Sequence, residues 1–158
     1  MMVSTLILIL SAAMVFFYFQ ITCQDILRRQ FDQEYFRSVV NANRLEFLAL
    51  RKSLEELGAP VDYPRLRTML ICDYLALTYL LKHATDAKHS YSDKERLLMV
   101  YFRWLFLSLE AHRLMRFGEK QAILRMTSIL QYFANVVGLR ANQVSFGNLT
   151  AADYLLNL

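Results

Sequence analysis

The side chains that most often hold metals are few in this chain, and their spacing does not suit a metal site. The three histidines are His83, His89 and His112. Di-iron bundles use Glu-x-x-His pairs, because that spacing places both ligands on one helix face, and the sequence contains no such pair. Asp86 and His89 stand three residues apart, but zinc or iron normally needs three or four clustered ligands. We therefore predict no metal site.

Motifs for phosphate or nucleophilic chemistry are also missing from the sequence. There is no Walker pattern, no Gly-x-Gly-x-x-Gly and no Gly-x-Ser-x-Gly. Cys23 and Cys72 lie far apart and form neither a Cys-x-x-Cys nor a haem-attachment motif. We therefore predict no cofactor and no catalytic residue, and we interpret the protein as non-catalytic. An enzyme would instead need a cleft with at least two titratable groups of perturbed pKa, for which the candidates are Asp73, Glu110 and His112.

Asp73 is the most unusual charged residue of the sequence. In the helix predicted around it, Asp73 shares a face with apolar residues, namely Leu66, Met69, Leu70, Leu77, Leu80 and Leu81. A buried carboxylate is costly unless it is paired, and Arg103 on the next predicted helix is the natural partner. We expect a buried Asp73–Arg103 ion pair that fixes helix register. A polar contact to a partner, or a proton-accepting role, is the alternative.

Glycine and proline divide the chain into helices. No segment shows sustained period-two alternation, so the predicted fold is all-α. Beyond the first helix, the predicted helices cover residues 64–84, 93–117 and 119–137, and Thr150 begins a last short helix. The glycines and prolines all fall between apolar segments of helical periodicity, where helices begin and end: Gly58, Pro60, Pro64, Gly118, Gly138 and Gly147.

The first helix is predicted to run without a break from the N-terminus to Leu57. Apolar residues recur at spacings of four and three over about three heptads, with Asn43 in the seam, a pattern typical of a coiled coil. The alternative is that this stripe packs on other helices of the same chain. We favour that alternative, because three heptads is the lower limit for a coiled coil. The seam residues are Phe36, Val40, Asn43, Phe47, Leu50, Leu54 and Leu57.

The helix that begins at the capping-box sequence Ser92–Glu95 is the most apolar one after the N-terminal segment. Residues 97–109 contain a single charge, and a run of this length is too short to cross a membrane. A helix that is apolar on nearly all sides must be covered on nearly all sides, which favours a protein partner or an oligomer. The predicted partner-docking residues are Trp104, Phe106, Leu155, Leu156 and Leu158.

The N-terminal segment is predicted to cross a membrane. Residues 3–24 contain no charge, proline or glycine, and 22 residues of helix rise about 33 Å, enough for a hydrocarbon core of about 30 Å. A cleaved signal peptide is the rival, but its apolar run would be shorter and would follow a basic region. We therefore predict an anchor over residues 1–24 and a membrane-proximal helical domain over 25–158. The predicted anchor residues are Val3, Leu6, Leu10, Phe16, Phe17 and Tyr18.

The positive charges predict the orientation of this single-pass protein. Lysine and arginine are absent before the span, whereas Arg28, Arg29, Arg37 and Arg44 follow it. The positive-inside rule then places the N-terminus outside and the C-terminal domain on the cytoplasmic side.

Composition narrows the class of protein further. A chain with 56% apolar and 13% aromatic residues is not disordered, and two cysteines do not make a disulfide scaffold. Only one stretch looks long enough to span, which argues against a multi-pass transporter. The net charge is +4, but acidic residues interleave with the basic ones and no basic run exceeds two residues. We therefore predict no nucleic-acid binding.

These observations predict an all-α protein with one N-terminal transmembrane helix that continues into a three- to four-helix bundle. We expect a non-catalytic accessory, scaffolding or assembly subunit of a larger membrane complex, or a homo-oligomer. The alternative is a membrane-anchored regulatory domain that binds a ligand or lipid between its second, third and fourth predicted helices.

Overall fold

The computed structural model describes the backbone of residues 2–28, 35–56, 62–83, 91–115 and 119–156, and the side chains of 3–28, 35–55, 62–83, 91–109 and 120–142. These residues form helices and no strand, which confirms the all-α prediction. Six helices cover them: α1 (Met2–Leu27), α2 (Phe36–Asn43), α3 (Phe47–Glu56), α4 (Tyr63–His83), α5 (Asp93–Met115) and α6 (Glu119–Leu156).

Helix α6 is the centre of the fold. It contacts each of the other five helices. The backbones of α1 and α5, and those of α3 and α4, also lie close together. Its apolar residues recur at spacings of three and four, which gives the helix a continuous buried face. The fully buried residues of that face are Ile123, Met126, Ile129, Leu130, Phe133 and Ala134.

Helices α4 and α5 begin close to the predicted positions. Pro64 lies in the first turn of α4, where its missing N–H has no helical partner to lose. At the start of α5, the Ser92 N–H donates to the Glu95 carboxylate at 3.1 Å, which is one half of the predicted capping box. The rings of Tyr74 and Phe102 stack at 4.3 Å and join the two helices.

The prediction of one unbroken helix up to Leu57 is wrong. Helix α1 ends at Leu27, and Arg44 separates α2 from α3 with a left-handed backbone (φ 51°). The Leu45 N–H then donates to the Val40 carbonyl at 3.1 Å and closes α2. The predicted coiled-coil seam is therefore divided between two short helices. Asn43 is exposed, and the remaining described seam residues belong to the core or pack against it.

The prediction that a helix ends at Gly138 is also wrong, because α6 continues through Gly138 to Leu156. A Cβ atom at Gly138 would lie 2.5 Å from the Cβ atom of Tyr35. This glycine therefore permits the close approach of the segment before α2 and does not end a helix. The separate short helix predicted at Thr150 is part of α6 as well.

The described part of the chain does not cover residues 97–109 on all sides. Helix α5 leaves Val100, Trp104 and Leu107 exposed, and Leu107 keeps 69% of its surface. Among the described side chains, those of α6 are the most fully covered, because the five other helices all contact this helix.

Candidate functional site

The structure gives Asp73 different partners from the predicted one. Asp73 is buried, as expected, with 6% of its surface exposed. Its Oδ2 atom accepts hydrogen bonds from the N–H groups of Glu46 (3.0 Å) and Phe47 (2.8 Å). Arg103 is exposed, and no Asp73–Arg103 ion pair forms among the described residues. The physical reason is that the first N–H groups of α3 lack helical partners, so Asp73 caps α3 from another helix.

Two opposing effects act on the Asp73 carboxyl. Burial raises its pKa above the ordinary value, while the two N–H donors lower it and the nearby Glu46 charge adds to the rise. Burial disfavours the charged form, whereas hydrogen bonds to the carboxylate favour it. The net result is a raised pKa, so it costs free energy to keep Asp73 ionised while it caps α3.

Sequence reasoning missed a second buried carboxylate. The side chain of Glu95 is 4% exposed and pairs with the Arg140 guanidinium, which also donates to the Leu81 carbonyl at 3.1 Å. Arg140 thereby joins the end of α4, the start of α5 and α6. The capping-box sequence pointed to Glu95, but the second role depends on a partner 45 residues away, which no local pattern reveals.

Helix α1 presents a long apolar surface. Residues 3–15 are all exposed, and so are Phe17 and Tyr18. Among the predicted anchor residues, Phe16 differs, because its ring lies 4.4 Å from that of Trp104. By length and composition, α1 could cross a membrane. Lys120–Asn142 in α6 passes the same test, contrary to the expectation of one such stretch, but most of it is buried inside the bundle.

The C-terminal half of α1 belongs to the core of the domain. Phe19 packs edge-on against Tyr101 at 5.8 Å between ring centroids. Cys23 and Ile26 are buried in the same apolar cluster as the residues of α4, α5 and α6. The apolar helix therefore divides into an exposed N-terminal part and a packed C-terminal part.

A basic cleft lies where α1 passes beside α6. Its volume is about 410 Å³, and its lining residues are Gln24, Leu27, Arg28, Leu124, Arg125 and Ser128. The nearby Tyr101 hydroxyl is fully buried, beside the side chains of Gln24 and Arg125. Burial raises the pKa of this hydroxyl, and the neighbouring Arg125 lowers it, with a net rise. Tyr101 therefore stays protonated at neutral pH and keeps a donor hydrogen.

The other predicted site residues are dispersed. Phe106 is half-buried, with the Arg67 guanidinium 5.3 Å from the centre of its ring. The side chains of Glu110, His112, Leu155 and Leu156 lie outside the described residues, as does all of Leu158. Within the described part of the chain, no three potential metal ligands cluster.

Between the second, third and fourth predicted helices, where a cavity was expected, the described residues include packed aromatic rings. Tyr74 stacks on Phe102, and the Phe133 ring lies 6.5 Å from that of Tyr74. A cavity of about 600 Å³ lies between α2, α4 and α6, lined by residues such as Tyr35, Leu80 and Gly138.

Comparison with known proteins yields no relative. No family model matches the chain, and neither the curated proteins nor the solved structures contain a match.

Proposed function

We propose that this protein is a non-catalytic, single-pass membrane protein whose helical domain serves as an accessory or assembly subunit of a larger membrane complex. The observation that carries the proposal is the exposed apolar surface of α1 and its continuation onto α5. Arginines that follow the apolar segment, beginning with Arg28, favour a cytoplasmic position for the domain.

The length of α1 supports an embedded position for part of the domain. Residues 3–15 form the exposed part of the helix, but they rise only about 20 Å, less than a hydrocarbon core of about 30 Å. A complete span therefore needs residues up to about Gln24, and these include Phe16 and Phe19, which contact α5. The aromatic contact at Phe16 would lie about 12 Å before Gln24 along the helix.

Helix α5 would then meet the bilayer beside α1. Its exposed Val100, Trp104 and Leu107 would face either lipid or a helix of a partner within the membrane. Arg103 on the same helix carries a long side chain that can reach the headgroups while its stem stays in apolar surroundings. We favour a partner helix, because large exposed apolar patches usually mark interaction sites.

Extraction from native membranes in mild detergent, followed by sizing and mass spectrometry, tests the proposal. We expect a stable complex of fixed stoichiometry that contains other membrane subunits or further copies of this chain. Leu107→Gln should weaken co-purification of the partner. Leu75→Gln is the matched control, because Leu75 is a leucine of similar exposure (59%) on α4. A lone protomer in mild detergent, or equal effects of the two substitutions, would contradict the proposal.

A further inference from the structure

The basic cleft has the chemistry of an anion site. Arg28 directly follows α1 and Arg125 belongs to α6, so two arginines from distant parts of the sequence line one opening. Gln24 and Ser128 add neutral polar groups, and none of the described residues that line this cleft is a carboxylate. Neither arginine forms an ion pair within the described part of the chain. Arginine suits phosphate well, because its planar fork donates two parallel hydrogen bonds.

An apolar groove approaches this cleft along α1. It has a volume of about 440 Å³ and is lined by Leu10, Ala13, Met14, Phe17, Tyr18 and Ile21. Residues 10, 14, 17, 21, 24 and 28 follow one another at spacings of four and three, so they occupy one face of the helix. The groove and the cleft therefore form one continuous surface, apolar at first and basic at its end.

In a membrane crossed by α1, the cleft would lie at the level of the lipid phosphates. Gln24 ends the uncharged segment, and Arg28 lies about 6 Å further along the helix. The headgroup layers add roughly 5–7 Å on each side of the hydrocarbon core. In an inserted α1, the two arginines would therefore stand at the level of the headgroups, and the apolar groove would stand at the level of the acyl chains.

We propose that this surface binds one anionic phospholipid, with the phosphate between Arg28 and Arg125 and an acyl chain along the apolar groove of α1. The site rests on the membrane anchoring proposed above. Gln24 and Ser128 supply the surrounding polar groups. The apolar groove selects a lipid as the occupant rather than free phosphate, because free phosphate has no apolar part to bury there.

Binding to the purified, delipidated full chain tests the site. The chain is titrated with phosphatidylglycerol, with phosphatidylcholine and with inorganic phosphate, and bound lipid is counted by native mass spectrometry. We expect phosphatidylglycerol to bind with a clear preference over phosphatidylcholine, and millimolar phosphate not to displace it. Arg125→Gln and Arg28→Gln should each weaken phosphatidylglycerol binding roughly tenfold, because each removes a charged hydrogen-bond donor.

Arg103→Gln is the matched control, since Arg103 is an exposed arginine that lies outside the cleft. Arg28 is also exposed, so Arg28→Gln should fold normally even if Arg125→Gln does not. Equal binding of both lipids, equal effects of Arg28→Gln and Arg103→Gln, or displacement by inorganic phosphate would each overturn the lipid site. Alkaline extraction of membranes separates this failure from that of the anchor: a released chain contradicts the anchoring, whereas a retained chain without lipid preference contradicts only the site.

Discussion

Substitution of Asp73 distinguishes an interhelical cap from a buried ion pair. Asp73→Ala removes the acceptor for two N–H groups at the start of α3, one of them buried. Loss of a helix cap costs about 1 kcal/mol, and an unsatisfied buried N–H costs about 1–3 kcal/mol. Because removal of a buried charge offsets part of this loss, we expect a decrease of about 2 kcal/mol in the free energy of unfolding. For a chain of this length, that lowers the Tm by roughly 4–8 °C.

Arg103 gives the clearest contrast between the two explanations. In a buried ion pair, Arg103→Gln would strand the Asp73 charge at a cost of about 3–5 kcal/mol. Since Arg103 is exposed and Asp73 bonds to α3 instead, we expect a change within about 0.5 kcal/mol. Urea unfolding of the full chain in detergent micelles, followed by circular dichroism, measures both variants. A large loss in Arg103→Gln would refute the cap.

The pH dependence of stability also separates the two explanations. An ion pair would lower the pKa of Asp73, whereas burial raises it. The pKa of Asp73 is raised in the folded state, so the folded protein holds this proton more tightly than the unfolded chain. Its contribution to stability is therefore greatest below the unfolded pKa of about 3.9 and is lost as the pH rises through the folded value. Asp73→Asn keeps an acceptor without a charge and should remove this slope. A wild type that gains stability over Asp73→Asn as the pH rises would contradict the raised pKa.

Three further substitutions test the packing, each by urea unfolding of the full chain. Gly138→Ala should cost about 1–2 kcal/mol, because the new methyl group meets Tyr35 and overpacking outweighs the gain in helix propensity; an unchanged stability would show that the contact yields freely. Arg140→Gln should cost about 3–5 kcal/mol by leaving Glu95 buried without its counter-charge, and adding Glu95→Gln should restore much of the loss. Arg44→Gly should leave stability unchanged or raise it by up to about 1 kcal/mol, since glycine relieves the left-handed backbone; a larger loss would mean that the arginine side chain has a role of its own.

The helices that sequence reasoning placed correctly are those with local signals. Pro64 and the capping-box residues Ser92 and Glu95 act within a single turn, so they mark the starts of α4 and α5 whatever surrounds them. Gly138 misled the prediction because glycine, which lacks a Cβ atom, occurs both where helices end and where two segments of the chain approach closely. Only the position of Tyr35, about 100 residues away, decides between the two.

The remaining errors have the same origin in distant contacts. Arg44 ends a helix without glycine or proline, so the spacing of apolar residues across it looked continuous. Asp73 was recognised as a buried carboxylate, but its partners are backbone groups, which a search among charged side chains does not find. No pattern in the sequence marks Arg125 as a site residue, because it lies near Arg28 only through the packing of α1 beside α6.

The central position of α6 has a consequence for the order of folding. The helix against which all the others pack is synthesised after them, so α1 to α5 lack their common neighbour until it emerges. At a synthesis rate of about 5–20 residues per second, its 38 residues add roughly 2–8 s. During that interval the exposed apolar faces are prone to aggregate. Early insertion of α1 into a bilayer, as proposed, would keep the unfinished chains apart. Insertion would then aid folding as well as determine where the protein resides.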